Sequence, residues 1–136
     1  MGCDGNQQAT MDSEIAYAKA SGLSYWAYAW YKPDSSMLNG WALDQSSQHK
    51  ADMNWTIIAG YGLFHLDMTR AAGYSTPEQF VIYFAQSNFE KTSGRPLLYL
   101  LADPSVASAV LKKDVGTLRD SAEKAHVGNP YIAILH

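Results

Sequence analysis

The sequence predicts a parallel α/β fold made of βα units, part of a (β/α)8 barrel of the TIM type. Helical and strand-like segments alternate along the 136 residues in the order α-β-α-β-α-β-α-β. Such alternation gives parallel strands joined by right-handed crossovers. Successive strands begin roughly 30 to 40 residues apart, near the ~30 residues per unit of a complete barrel. The alternative is an open doubly wound sheet, but no strand is followed by a glycine-rich nucleotide motif or a P-loop.

The first half of the chain predicts two helices and two strands. The first helix begins near Thr10, a good N-cap residue, and stops at Gly22, which tolerates a left-handed backbone. The first strand, 23–31, alternates aromatic and small residues and is typical of a buried strand. A weaker helix covers 38–52. The second strand, 55–61, ends in a glycine-containing segment.

The second half contains the clearest helix start in the sequence. Thr76 is a favourable N-cap, Pro77 suits the first helical position, and Gln79 can complete a capping box. The third strand, 97–102, is almost continuously apolar. A last helix fills the interval before the fourth strand, 131–135.

The composition excludes several classes of protein. An apolar content of 47 % with 17 % charged residues is that of a folded globular domain. The net charge is −3 and the ten Lys and Arg residues are scattered, so we expect no nucleic-acid partner. No apolar run approaches the ~20 residues of a membrane span. The N-terminal residues lack the pattern of a signal peptide, and the single Cys3 excludes an internal disulfide.

The content of large aromatic residues is high, with four Trp and nine Tyr. Most of these side chains are expected to fill the core. Trp and Tyr also line carbohydrate sites, because their flat faces cover the C–H face of a sugar while their polar tips form hydrogen bonds. Composition alone leaves both uses open.

Four segments, taken in order, resemble the WbsX-like, glycoside hydrolase family 99-like group of barrel proteins. They are MDSEIAYA (11–18), GLSYWAY (22–28), FEK leading into GRPLLYL (89–100) and GNPYI (128–132). Their order and spacing are similar to the stretch from the first helix to about the fifth strand of such a barrel. The resemblance covers nearly all of this chain and about half of the family domain. We therefore expect the chain to be a fragment of a larger barrel.

The resemblance implies a polysaccharide-processing protein, a glycosidase or a relative of one, with a carbohydrate substrate. Glycoside hydrolysis uses one carboxylic acid to protonate the leaving oxygen and a second carboxylate to assist attack at the sugar carbon. In family 99-like enzymes this pair is expected on later strands, beyond His136. The chain is then expected to carry sugar-facing surface but no catalytic residues, and to show no glycosidase activity alone.

Candidate substrate-binding residues follow from the barrel, in which the site lies at the C-terminal ends of the strands. They are Trp30 and Tyr31 after the first strand, Asp34 in the next loop, Tyr61 after the second strand and Asp103 after the third. One face of the first strand carries small residues, which suit close packing against helices. The other face, with Trp30, is predicted to point inward, where the Trp30 ring either stacks on a sugar or packs in the core. Both aspartates neighbour prolines, so turn formation or helix capping is the alternative.

Two other functions stay open at this level: a non-catalytic sugar-binding domain, and an α/β domain that binds another small molecule. The pair His65 and Asp67 is too common a combination to predict a metal site, and no cofactor motif is present.

Half of a barrel exposes two strand edges, here 23–31 and 131–135, which lack guarding charges. We therefore expect self-association through the exposed edges.

Overall fold

Helices and strands alternate along residues 5–136, the residues that the computed structural model describes. Cys3 and the rest of the N-terminal tetrapeptide lie outside the described residues. The strands are β1 (Tyr25–Ala29), β2 (Asn54–Gly60), β3 (Lys91–Thr92), β4 (Arg95–Leu101) and β5 (Tyr131–Leu135). The helices are α1 (Gln8–Ala20), α2 (Asn39–Ser46), α3 (Tyr61–Met68), α4 (Pro77–Phe84) and α5 (Ser108–Lys124). Two 3-10 turns, Ser36–Leu38 and Lys50–Asp52, flank α2.

The four predicted strands are parallel and lie in chain order, β1-β2-β4-β5. This part of the prediction is confirmed, and β1 and β5 form the two edges of the parallel sheet. The two-residue strand β3 was not predicted and pairs antiparallel with the start of β4. Ser93 and Gly94 form the turn between them, with φ angles of 52° and 75°. Positive φ at both central residues is what the type I′ turn of a two-residue β-hairpin requires.

All five helices described in residues 5–136 pack on one face of the sheet. The register aligns Trp26 with Trp55 and Tyr28 with Ile57, so side chains of this parity share a face. The core on this face includes Trp30, Trp55, Ile57, Ala59, Leu98 and Leu100 from or next to the strands, and Phe64, Phe80, Phe84, Leu118 and Ala122 from α3, α4 and α5. Helix α1 packs beside them against Trp26 through Met11, Ile15 and Ala18.

The opposite face of the sheet has no helix over it within the described residues. It carries small side chains on β1 and a hydrogen-bonded pair of hydroxyls, Tyr25 and Tyr99, whose oxygens lie 2.6 Å apart. Leu101 and Tyr131 on this face are 48 % and 42 % exposed. A doubly wound sheet has helices on both faces, whereas the described residues form an open, mostly parallel sheet with helices on one face.

Several element boundaries differ from the prediction. Helix α1 begins at Gln8, so Thr10 lies inside the helix and does not cap it. Helix α2 ends at Ser46 instead of 52, because the Ser47 side chain donates to Asp12 and accepts the His49 N–H. Helix α3 was not predicted.

Candidate functional site

The C-terminal ends of the parallel strands meet at one edge of the sheet, which we call the rim. The rim carries the residues after β1, β2, β4 and β5 in that spatial order. All five predicted site residues belong to these segments. The structure nevertheless gives them different environments, and no hydrogen bond or ion pair between described residues joins Asp34, Tyr61 and Asp103 to one another.

Trp30 faces the helices, so its predicted inward orientation is wrong. Its ring is 5 % exposed, and its centroid lies 5.0 Å from that of Tyr83 and 5.3 Å from that of Trp41. The large rings on this face of β1 fill the wide layer between sheet and helices, while Ala27 and Ala29 lie on the uncovered side. The sugar-stacking role predicted for Trp30 therefore has no exposed ring face to support it.

Tyr31 and Lys32 leave β1 at the rim. Tyr31 is half-buried and packs against the margin of the core. The ammonium of Lys32 lies 4.6 Å from the ring centroid of Tyr74, within the range of a cation–π contact. The Lys32–Tyr74 contact links the segment after β1 to the loop that follows α3.

A groove of about 310 Å³ follows β1, and Asp34 lies in its wall. Pro33 lies in the loop between β1 and the 3-10 turn, and the Ser35 hydroxyl accepts the N–H of Met37 at 3.2 Å, which starts that turn. Helix α2 then brings Trp41 to the groove. The complete lining is Pro33, Asp34, Ser35, Ser36, Leu38, Asn39, Trp41 and Ala42. The groove therefore combines an indole with a carboxylate, an amide and hydroxyls.

Trp41 joins this groove to the aromatic core. Its ring is half-buried and lies edge-on to Trp30, with the centroids 5.3 Å apart. Its indole N–H is buried and has no hydrogen-bond partner among the described residues. The amide of Asn39 donates to Asn6 at 2.8 Å, which ties the start of α2 to the segment before α1. Trp41 was not among the predicted site residues. It lies three residues after Leu38, and the two residues share one face of the helix predicted at 38–52.

Tyr61 begins α3 and is buried beneath α5. Its hydroxyl donates to Asp114 at 2.7 Å, and His65 Nδ1 lies 2.8 Å from the same carboxylate oxygen. Burial and the neighbouring carboxylate raise the pKa of Tyr61 to about 12. Asp114 is buried, whereas the His65 side chain is 40 % exposed. A buried carboxylate that orients a histidine by one nitrogen leaves the other nitrogen free for proton transfer or hydrogen bonding.

The contact of Asp114 with Tyr61 and His65 was not predicted, because no local sequence pattern indicates that α5 packs against α3. The spacing of Tyr61 and His65, four residues apart, places both on one side of a helix. That spacing could have predicted their shared partner only if α3 itself had been predicted. Tyr61, Phe64 and Met68, which are all buried, lie three and four residues apart. This helical spacing was the signal in the sequence from which α3 could have been predicted.

Asp103 lies in an exposed turn after β4. Its carboxylate accepts the backbone N–H of Ser105 at 2.8 Å and the Ser105 hydroxyl at 2.7 Å. These hydrogen bonds hold the pKa of Asp103 below its usual value. The turn alternative considered for Asp103 thus accounts for its hydrogen bonds, and its predicted contact with a substrate stays a prediction.

Residues 5–136 contain no group of three or more His, Cys, Asp or Glu side chains placed to hold a metal ion. Within the same range, every helix is too short or too polar to cross a membrane. No protein-family model, curated protein or solved structure matches the chain.

Proposed function

We propose that this chain forms about half of a (β/α)8-type barrel in a carbohydrate-active, glycoside hydrolase-like protein, and that it contributes sugar-facing loops. The observation that carries the proposal is the groove after β1, lined by Asp34, Asn39 and Trp41. A partly exposed indole can cover the apolar face of a pyranose ring. The neighbouring carboxylate and amide are suitable partners for sugar hydroxyls.

The barrel part of the proposal is supported by the arrangement of the layers. The parallel strands follow in chain order and the described helices pack on one face, as in each half of a (β/α)8 barrel. The uncovered face then corresponds to the barrel interior. Its small residues, Ala27 and Ala29, leave room for side chains from opposite strands, and its tyrosine pair supplies polar groups.

We further propose that the chain binds sugar without cleaving it alone. A general acid for glycoside cleavage has a raised pKa, whereas hydrogen bonds from Ser105 lower the pKa of Asp103. Asp34 is exposed and has no buried acidic neighbour in its groove. The catalytic carboxylate pair is therefore proposed to lie on the remaining units of the barrel, and this chain to position the substrate.

The test is calorimetric titration of the chain with mannan oligosaccharides of two to six sugar units. Trp41→Ala should weaken binding by roughly 5- to 150-fold, which corresponds to ~1–3 kcal/mol for removing a large apolar contact. Asp34→Asn should weaken it less, because the amide can still accept a hydrogen bond. The control is Asp120→Asn, an exposed acid on α5 far along the chain from the groove.

Affinity that is unchanged in Trp41→Ala would move the sugar away from this groove. Absence of binding for the whole oligosaccharide series at millimolar concentration would contradict the carbohydrate proposal itself. Circular dichroism of each variant separates a loss of binding from a loss of folding.

A further inference from the structure

We infer that a second copy of this chain covers the open side of the molecule, so that two copies related by a two-fold axis form an eight-stranded pseudo-barrel. The inference rests on the proposed half-barrel: when the chain is a separate polypeptide, a second copy takes the place that the remaining units occupy in the proposed whole barrel. Four parallel strands in chain order, duplicated, give the eight strands of a closed (β/α)8 sheet. A two-fold axis along the barrel keeps all eight strands parallel.

The backbone at the edges is ready for such pairing. The backbone N–H of Asn54 donates to the backbone carbonyl of Ser24, and the backbone N–H of Trp30 donates to that of Ile58. Even-numbered residues of the β1 segment therefore direct their N–H and C=O groups toward β2. The groups of Tyr25 and other odd-numbered residues point away from the sheet, where β5 of the second copy would lie. Unpaired groups along an edge strand are the usual template for adding a strand.

A groove lies beside each edge strand, β1 and β5, and the two grooves carry charges of opposite sign. The groove beside β1, about 330 Å³, is lined by apolar side chains and the acidic Glu14. The groove beside β5, about 240 Å³, is lined by apolar side chains and the basic residues Lys112 and Arg119. None of these three charged side chains has an ion-pair partner within the described residues. Closure brings the acidic groove of one copy against the basic groove of the other, at both junctions.

The apolar surfaces at the junctions also match. Beside β5, the side chains of Leu111 and Val115 on α5 and of Ile132 and Ile134 on β5 line an apolar groove, in which Ile134 is 38 % exposed. Helix α1 of the second copy has the length and position to cover this groove, since α1 already packs on β1. Tyr17, on the outer side of α1, is 73 % exposed. It lies three residues after Glu14, so both belong to the same side of the helix.

The experiment measures the mass of the wild-type chain by sedimentation at micromolar concentration, followed by two charge reversals. We expect a discrete dimer for the wild type. Glu14→Lys alone, and Lys112→Glu with Arg119→Glu, should each shift the chain to monomer by placing like charges at both junctions. An equimolar mixture of these two variants should restore the dimer, because each junction then joins opposite charges.

The matched control is Lys113→Glu with Lys124→Glu, which changes the net charge equally on α5 but outside the β5-edge groove. This variant should remain a dimer. A monomeric wild type, a dimer insensitive to the reversals, or a mixture that stays monomeric would overturn the inference. Open chains of growing mass would also overturn it, because a closed two-fold ring has a fixed size. Each of these outcomes is separate from the oligosaccharide titration, which tests the proposed function in wild-type and Trp41→Ala chains.

Discussion

Asp67 is a buried carboxyl whose charge opposes folding. It accepts the backbone N–H of Ser75 at 2.9 Å, yet burial outweighs this bond and raises the pKa of Asp67 to about 6. A raised pKa in the folded state means that stability is full below about pH 4 and falls as the pH rises through 6. Asp67→Asn cannot ionise. We expect its free energy of unfolding to exceed that of the wild type by about 1–3 kcal/mol at pH 7, and this advantage to vanish near pH 4.

Urea unfolding at a series of pH values measures this difference. Asp12 provides a control of opposite sign, because hydrogen bonds from Ser47 and Gln8 lower its pKa. Asp12→Asn should therefore lose stability at pH 7 and approach the wild type at acid pH. A stability gain for Asp67→Asn that is constant from pH 4 to pH 8 would show that its charge is not the cause.

Single residues show where sequence reasoning was limited. The alternation along β1 correctly placed Trp30 and Trp26 on one face, but the assignment of that face to the barrel interior was wrong. Both faces of the strand are apolar, so periodicity separates the two sets without saying which one the helices cover. Asp34 was correctly placed at the rim, since its position depends only on the end of β1 and the following Pro33.

At the scale of elements, the two threonines predicted as helix caps differ in the structure. The Thr76 hydroxyl accepts the N–H of Gln79 at 3.3 Å and caps α4, whereas Thr10 lies within α1. Thr76→Ala should lower the free energy of unfolding by about 1 kcal/mol. Thr10→Ala should leave it unchanged or raise it slightly, because alanine favours a helix interior. Chemical denaturation of both variants compares the two sites directly, and equal effects would contradict the assigned helix starts.

The Asp114 carboxylate joins α3 to α5. Removing it in Asp114→Ala leaves the buried Tyr61 hydroxyl without its acceptor and releases His65. We expect a loss of about 2–3 kcal/mol in the free energy of unfolding, the cost of an unsatisfied buried donor plus a lost hydrogen bond. The matched control is Asp120→Ala, an exposed aspartate on the same helix, which should change stability by less than ~0.5 kcal/mol. Similar losses in both variants, measured by thermal unfolding, would show that the buried hydrogen bonds of Asp114 are not the cause, since alanine itself favours a helix interior.

Elements with local signals were predictable, and those that depend on distant contacts were not. Thr76 and Pro77 determine the start of α4 by local hydrogen bonding and backbone geometry. Helix α2 looked longer in the sequence than it is, because Ser47 ends it through contacts with α1, which no local pattern reveals. Strand β3 has only two residues and is specified by its turn at Gly94. The sequence signal for it was the Ser93-Gly94 pair, from which no turn was predicted.

For the whole molecule, the order of the parallel strands followed from the alternation of units, since crossovers of this length place consecutive strands side by side. Which face of the sheet the helices cover could not be predicted, because it depends on how all the units pack together. The same limit explains why the sequence located the rim but did not bring Tyr61 together with Asp114: their contact depends on how α5 lies against α3.

The pseudo-barrel makes a residue-level prediction for amide hydrogen exchange across the whole sheet. In a single chain, the amides of Tyr25, Ala27 and Ala29 point away from β2 and have no acceptor among the described residues, whereas those of Trp26 and Tyr28 point toward β2. At concentrations below the association range, the first group should exchange quickly and the second slowly. As the concentration rises, exchange of the first group should slow by at least tenfold, because β5 of the second copy supplies its acceptors. Exchange that stays fast in the first group while sedimentation shows a dimer would mean that the copies associate through another surface.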